Sequence, residues 1–138
     1  MIEIIDLKKS FADKEILKGI TTSFEAGKTN LVIGTSGSGK TVFVKCLVGL
    51  LEPTSGTISY DGIDFTALSQ REKKSIRTKI GMLFQGSALF DSMTVEENVM
   101  FPLNMFTSMT AKEKLSRVNF CLERVNLVGA NKKYPAEI

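Results

Sequence analysis

The chain has 138 residues, of which 43% are hydrophobic and 24% charged, and 18 basic against 15 acidic residues give a formal charge of +3. This length and composition allow one hydrophobic core, which excludes a disordered tail, a collagen-like repeat and a disulfide-framework miniprotein. The absence of histidine excludes His-based catalytic triads and His zinc sites, and so small a charge surplus gives no argument for nucleic-acid binding.

Strand patterns dominate the first part of the chain. Residues 2–7 are β-prone, and residues 20–24 alternate apolar and polar side chains. The short apolar run at 31–33 lies between turn residues, which predicts a strand covered on both faces. Three strands are therefore predicted before the first helix.

The first predicted helix follows a Gly-rich turn. Residues 39–51 contain no proline, and Pro53 and Gly56 end the helical pattern. Residues 57–60 then predict a strand that is closed by a turn at 61–62.

The second half predicts helices, with one further strand at the apolar run 80–84. Three helix starts are predicted because a hydroxyl residue is followed three positions later by glutamate, as in a capping box: Ser69–Glu72, Thr94–Glu97 and Thr110–Glu113. The last helix has apolar residues at 3-4-3 spacing, which predicts one buried stripe of Leu115, Val118, Leu122 and Val125. This order of elements indicates an α/β core with a helical appendage.

Cysteine usage and hydropathy bear on the compartment. Cys46 and Cys121 are isolated and form no CxxC motif, so we expect small apolar thiols in a reducing compartment, with a disulfide left open. The N-terminus has acids where a signal peptide has bases, and the longest apolar stretch, 42–51, is too short to span a bilayer. The sequence therefore predicts a soluble cytosolic chain.

Residues 34–41 match the phosphate-binding pattern G-x-x-x-x-G-K-[ST]. Its glycines let backbone amides approach the β- and γ-phosphates of a nucleotide, and the helix that follows favours anions. Lys40 supplies a positive charge, and the Thr41 hydroxyl can bind Mg²⁺. The alternative is a Gly/Ser-rich connector that matches by chance, but the predicted strand before the loop and helix after it favour a nucleotide site. The expected ATP-binding residues of the loop are Gly34, Ser36, Gly37, Ser38, Gly39, Lys40 and Thr41.

Beyond this motif the chain resembles the N-terminal part of ABC transporter ATP-binding subunits. Phe11 follows the first strand, where that family has an aromatic residue that stacks on adenine, and Gly19-Ile20 precedes the strand that leads to the loop. Residues 56–62 resemble the family's hairpin after the first helix. Gln85 matches the Q-loop glutamine, which in this family reaches Mg²⁺ and the attacking water and links to the membrane subunit.

The segment 82–95, with Asn98-Val99 and Pro102-Leu103, more narrowly resembles the ATPase of Mla-type phospholipid transporters of Gram-negative envelopes. Amino-acid importers have a related Q-loop neighbourhood, so that cargo stays open. The resemblance implies a P-loop NTPase (ABC ATPase) core with an antiparallel β subdomain and the start of a helical subdomain. It also implies one C-terminally truncated nucleotide-binding domain over residues 1–138, with the core and β subdomain at 1–85 and the Q-loop and helical subdomain at 86–138.

Function, partners and location are implied in the same way. We expect a subunit that couples ATP binding and hydrolysis to transport of phospholipid, with ATP and Mg²⁺ as cofactors and Lys40 and Gln85 in catalysis; Thr41 and Gln85 are the expected metal ligands. The expected partners are a transmembrane permease and a second ATP-binding subunit in a homodimer, with no nucleic acid. The expected location is cytoplasmic, peripheral on the inner membrane through the permease.

Three motifs of the family are not found in this sequence: the signature loop, the Walker B strand and the switch histidine. We therefore expect weak nucleotide binding, almost no hydrolysis by this chain alone, and exposed strand edges that favour dimerisation. The alternative functions are a non-catalytic nucleotide-binding or permease-docking fragment, the ATPase of an amino-acid importer, and a soluble P-loop kinase.

Several residues also have a purely structural interpretation. Phe11 would then plug the junction of the first two strands, Gln85 would cap a strand end, and the basic run at 71–79 would be a solvated helix face. The second half contains apolar residues that suit either a partner groove or buried packing: Met93, Met100, Met105, Met109, Phe90, Phe101 and Phe106.

Overall fold

The computed structural model describes residues 1–84, 86 and 88–138, and the chain divides into two compact units, Met1–Gly81 and Met82–Ile138. The first unit contains β1 (Ile2–Phe11), β2 (Lys14–Phe24), α1 (Lys40–Leu47), β3 (Ser55–Tyr60), β4 (Ile63–Asp64) and α2 (Gln70–Arg77). The second unit contains α3 (Val95–Phe106), α4 (Ala111–Arg124) and a short 3-10 helix at Pro135–Glu137.

The sheet of the first unit is antiparallel throughout, with strand order β2-β1-β3-β4. At its centre Ile4 pairs with Ile58 of β3, and both side chains are buried. Leu17 of β2 belongs to the same buried cluster, as do Phe43 and Cys46 of α1. The helix therefore packs on one face of this sheet and closes the core of the unit.

Helix α1 is shorter than the predicted 39–51 because the chain turns after Leu47. Gly49 adopts a φ of 71°, outside the helical region, and its carbonyl accepts a hydrogen bond from Arg77 Nη2 at 2.8 Å. The Tyr60 hydroxyl donates to the Leu47 carbonyl at 2.7 Å, and burial raises the pKa of that hydroxyl. Two side chains from other elements thus stabilise the end of the helix.

The predicted strands at 31–33 and 80–84 are wrong. A strand requires a neighbour to accept and donate its backbone hydrogen bonds, and the four-stranded sheet includes neither run. Leu31 and Ile33 are 83% and 80% exposed, and Leu83 is 98% exposed. Both runs are apolar, but no other segment in the described part of the chain forms strand hydrogen bonds with them.

The second unit is a helical hairpin in which α3 packs against α4. Its buried cluster consists of Val95, Val118 and Leu122. The predicted stripe is therefore only half right, because Leu115 is 40% and Val125 is 61% exposed. Val125 lies at the C-cap of α4, past the last helical residue.

All three predicted capping boxes are confirmed. In each, the hydroxyl of the N-cap residue accepts the amide of the third helical residue, and that residue's carboxylate accepts the N-cap amide. The Ser69 hydroxyl and amide hold the pKa of Glu72 below its usual range. The amide and hydroxyl of the N-cap threonines do the same for Glu97 and Glu113. These helix starts are specified by four consecutive residues, which is why they could be predicted.

The basic run at 71–79 is exposed in most of its residues, but buried Lys73 and partly buried Arg77 correct the expectation of a wholly solvated face. Lys73 is only 5% exposed and forms an ion pair with Glu52 at 3.1 Å. This hydrogen bond and charge lower the pKa of Glu52. The Lys73 ammonium also lies 5.6 Å from the centre of the Phe65 ring, so the aliphatic part of this side chain packs beside the core.

Cys46 and Cys121 are both free thiols, as expected, and burial raises the pKa of Cys46. Helices of the length and apolar character needed to cross a membrane are not found among the residues that the structure describes.

Candidate functional site

The glycine-rich loop, residues 34–41, turns the chain into the start of α1. The Ser38 amide donates to the Thr35 carbonyl at 3.2 Å, which closes the turn. Gly37 and Gly39 adopt φ angles of 76° and 96°, a region that favours glycine. The predicted sequence of loop followed by helix is confirmed, with Lys40 as the first helical residue.

The end of the loop rests on β2. A Cβ atom at Gly39 would lie 3.0 Å from Ile16 Cγ2 and 3.1 Å from Leu17 Cδ2. At the start of the loop, a Cβ atom at Gly34 would lie 2.7 Å from Ser38 Oγ. A side chain at Gly39 would therefore crowd two packed side chains in a backbone conformation that favours glycine, whereas a side chain at Gly34 would require the Ser38 hydroxyl to rotate away.

Helix α1 differs from the other three helices at its N-terminus. It has no side-chain capping hydrogen bond and no acidic residue in its first turn, whereas α2, α3 and α4 each have a capping box and an acid there. The first amides of a helix have no acceptor within the helix, and the dipole is positive at this end. The loop therefore presents uncapped N–H donors where an anion would be stabilised.

The Lys40 side chain lies across this loop. Its Nζ donates to the carbonyls of Gly34 and Thr35 at 2.7 and 2.8 Å. The ammonium thus sits beside the uncapped amides, held by two neutral acceptors that phosphate oxygens can replace. The Thr41 hydroxyl is exposed in the first turn of the helix. The donor set fits a polyphosphate: backbone amides, one mobile cation and one hydroxyl.

Phe11 lies at the end of β1, and its ring is 45% exposed. The Lys9 ammonium lies 5.0 Å from the centre of that ring. The exposed ring has area on which a planar base could stack. Gln85 lies outside the described residues, so its expected role stays a prediction.

A metal ion at the loop would need ligands from both the protein and a bound polyphosphate. Within the described ranges there is no cluster of three or more His, Cys, Asp or Glu residues that could hold a metal. Mg²⁺ usually keeps several waters and binds through one or two protein oxygens together with substrate phosphates. The Thr41 hydroxyl beside a bound polyphosphate fits that mode.

In the second unit, Asn98 is a residue that the sequence analysis did not assign. It is 9% exposed, and its Nδ2 donates to the carbonyls of Phe90, Met93 and Thr94 at 3.0, 3.1 and 3.0 Å. Its Oδ1 accepts the Phe90 amide at 2.7 Å. One side chain therefore fixes the backbone of the segment before α3. The only sequence signal was a polar residue on the buried face of a predicted helix.

The methionines and phenylalanines of this unit divide between the two expected roles. Met100 packs against the buried cluster. Phe90 and Phe101 are 46% and 36% exposed with ring centres 5.0 Å apart, and Met105 is 57% exposed. Part of the set is core, and part forms an exposed apolar surface.

Comparison with known proteins places this geometry in context. The family model described as "ABC transporter" matches residues 17–137. The chain is 42% identical over 137 residues to "Probable ribonucleotide transport ATP-binding protein mkl" of Mycobacterium leprae, covering 99% of this chain and 40% of that protein. It is 38% identical over 138 residues to "Methionine import ATP-binding protein MetN" of Rhizobium johnstonii, covering 100% of this chain and 38% of that protein. The chain thus spans about two fifths of the length of these relatives.

Among solved structures, the chain is similar to the dimeric post-hydrolysis state of the ATP-binding cassette MJ0796 bound to ADP and Pi. The TM-score is 0.89 at 27% sequence identity, and the match covers 100% of this chain and 63% of that one.

Proposed function

The chain belongs to the ABC transporter family, and on that premise we propose that it binds ATP with Mg²⁺ at residues 34–41 as part of a transport ATPase. The expected fold, a P-loop NTPase core of the ABC ATPase type with an antiparallel sheet and helices, is confirmed by the likeness to a solved cassette. The observation that carries the proposal is the uncapped start of α1 with the Lys40 ammonium beside it.

The nucleotide would bind along the loop. The backbone amides of Ser36, Gly37 and Gly39 would donate to the β- and γ-phosphates, close to a backbone that Gly34 leaves free of a side chain. The Ser38 amide would join them by exchanging the Thr35 carbonyl for a phosphate oxygen. Lys40 would exchange its two carbonyl acceptors for phosphate oxygens, because a charge-assisted hydrogen bond to an anion is stronger than one to a neutral carbonyl. The exposed ring of Phe11 would stack on the base, which contributes about 1–3 kcal/mol in comparable cases.

Catalysis in phosphoryl transfer consists mostly of positioning and charge stabilisation. Lys40 would supply charge at the γ-phosphate, and Thr41 would orient a bound Mg²⁺ through its hydroxyl. We propose Gln85 as the second metal ligand and as the residue that orients the attacking water. A magnesium ion held by these residues would supply positive charge that stabilises the transferring phosphoryl group.

We further propose that the protein works with a transmembrane permease and with a second copy of itself. The division of roles would be an ATP-binding core and β subdomain at 1–85 and a Q-loop and helical subdomain at 86–138. The exposed apolar side chains of Phe90, Phe101 and Met105 support a partner for the second unit. The protein would then lie on the cytoplasmic side of the inner membrane, bound through the permease.

For the cargo we propose phospholipid, on the resemblance of residues 82–103 to Mla-type ATPases. The second candidate is an amino acid, which is favoured by the similarity to a methionine import protein. Measuring ATPase activity of the complex with its membrane subunits, reconstituted in nanodiscs, would separate the two. Stimulation by added phospholipid and not by L-methionine supports the first, and the reverse result overturns it.

Titration with a fluorescent ATP analogue and Mg²⁺ tests the ATP site. We expect saturable binding that Lys40→Ala weakens roughly ten- to hundredfold, since one charge-assisted contact is lost. Lys45→Ala is the matched control, because it removes the same charge from the last turn of the same helix, and its affinity should stay within about twofold of the wild type. A protein that shows no saturation, or a Lys40→Ala variant that binds like Lys45→Ala, would contradict the proposal.

A further inference from the structure

We propose that Lys9 occupies, in the nucleotide-free protein, the face of Phe11 on which the nucleotide base stacks, so that base binding requires Lys9 to leave the ring. Lys9 would then compete with the nucleotide base for the face of the Phe11 ring and so weaken nucleotide binding. This inference rests on the proposed ATP site and assigns a role to a residue outside its phosphate-binding loop.

The strand register places Lys9 on the side of the sheet where the loop lies. Lys9 pairs with Leu17 across β1 and β2, and directly opposed residues project from the same face. Leu17 is 2% exposed and packs under the position of a Cβ at Gly39. The next pair along, Lys8 and Lys18, therefore projects from the other face.

The contact itself is between a cation and an aromatic face. Lys9 Nζ lies 5.0 Å from the centre of the Phe11 ring, within the range of a cation–π interaction. The Lys9–Leu17 pair faces the helix, because Leu17 packs in one cluster with Cys46 of α1. The charge of Lys9 lowers the pKa of Cys46, against the larger effect of burial, as expected for an ammonium on that side. A base joined to phosphates at the start of α1 would have to reach Phe11 from this same side.

Lys40 in the glycine-rich loop is held by its own chain in a similar way. Lys40 is hydrogen-bonded to carbonyls of its own loop, at the place proposed for phosphate. Both cations near the proposed ligand thus rest on partners from their own chain. Lys40 gains phosphate oxygens when the nucleotide binds, whereas Lys9 loses its aromatic partner to the base. Removing Lys40 should therefore weaken binding, and removing Lys9 should strengthen it.

Binding of ATP and of inorganic tripolyphosphate to Lys9→Met and Lys18→Met tests the proposal. Lys18 is exposed on the opposite face of the same hairpin, so Lys18→Met makes the same charge change without touching Phe11. We expect Lys9→Met to bind ATP about two- to fivefold more tightly than Lys18→Met, which corresponds to an exposed cation–π contact. Tripolyphosphate has no base, so it should bind Lys9→Met no more tightly than Lys18→Met. Equal or weaker ATP binding by Lys9→Met would overturn the proposal.

The proton resonances of the Lys9 ε-methylene give a second measurement. In the free protein they should be shifted upfield by the Phe11 ring, and Phe11→Leu should abolish this shift. Added ATP should also abolish it, whereas tripolyphosphate should leave it unchanged. A Lys9 resonance that does not respond to Phe11→Leu refutes the contact, even in a protein that binds ATP. Absence of any ATP binding by the wild type would instead refute the proposed function and this inference together.

Discussion

Gly39→Ala should disturb the start of α1 and cost more stability than the same substitution at Gly62, another glycine of the first unit with a positive φ. Gly39 has a φ of 96° and a ψ of 4°, and it is the N-cap residue of the helix that carries Lys40. Alanine disfavours that conformation, and its Cβ would also press against Ile16 and Leu17. The substitution therefore combines backbone strain with a packing conflict.

The structure provides a control that separates the two effects. Gly62 has a φ of 81°, but no atom lies within 4 Å of a Cβ built there. Gly62→Ala should therefore cost only backbone strain, about 1–2 kcal/mol of unfolding free energy. Gly39→Ala adds contacts of 3.0 and 3.1 Å to packed side chains, and overpacking of this kind costs about 1–3 kcal/mol more. The expected total for Gly39→Ala is about 2–5 kcal/mol.

Urea unfolding followed by circular dichroism measures this difference, and ATP titration of the folded variants measures its consequence. If alanine at 39 relaxes its φ, the first amides of α1 turn away from the loop, so we expect ATP affinity to fall at least about tenfold. Gly62→Ala should leave the affinity unchanged. Equal loss of stability in the two variants would refute the packing argument, and unchanged ATP affinity in Gly39→Ala would refute the link between the N-cap and the site.

Three further substitutions test the packing around the site and in the second unit. Tyr60→Phe should lose about 0.5–1.5 kcal/mol of stability, because it removes the hydrogen bond from the Tyr60 hydroxyl to the end of α1. In the control Tyr134→Phe the residue is half-exposed, so stability should change by less than about 0.5 kcal/mol. Equal effects of the two substitutions in thermal melts would contradict this. Asn98→Ala removes the side-chain hydrogen bonds to the Phe90 amide and the Met93 carbonyl, and leaves the Phe90 and Thr94 carbonyls with one backbone donor each. Hydrogen exchange should therefore accelerate in the segment before α3, and it should not do so in the exposed control Asn104→Ala. The pKa of Glu97 is lowered in the folded protein, so its carboxylate stabilises α3 above the usual glutamate range and this contribution is lost as pH falls through the folded pKa. Acid titration of helicity should therefore be less steep in Glu97→Gln, and identical titrations would contradict the capping argument.

The phosphate loop and the helix starts could be predicted because they depend on neighbours a few residues apart. A capping box needs a hydroxyl and a carboxylate three positions apart, and the structure has all three that were predicted. The loop 34–41 likewise requires its glycines and its lysine within one turn of the chain. Such features are determined by local geometry.

Contacts between residues far apart in the sequence could not be predicted in this way. The apolar runs at 31–33 and 80–84 had the composition of strands, but a strand forms only where another segment supplies hydrogen bonds. The sequence offered no sign that Gly39 rests on Ile16 and Leu17 of β2. The β1–β2 register places Leu17 opposite Lys9, and bulges shift this pairing.

The sequence by itself therefore determined the glycine-rich loop and its lysine, from which a polyphosphate site is predicted, because that pattern is held in eight consecutive residues. Only the tertiary structure decided what packs against the loop: the side chains of Ile16 and Leu17, on the strand beneath Gly39. The physical reason is that backbone conformation at a turn is a local property, whereas burial and pairing depend on which distant segment arrives at the same place.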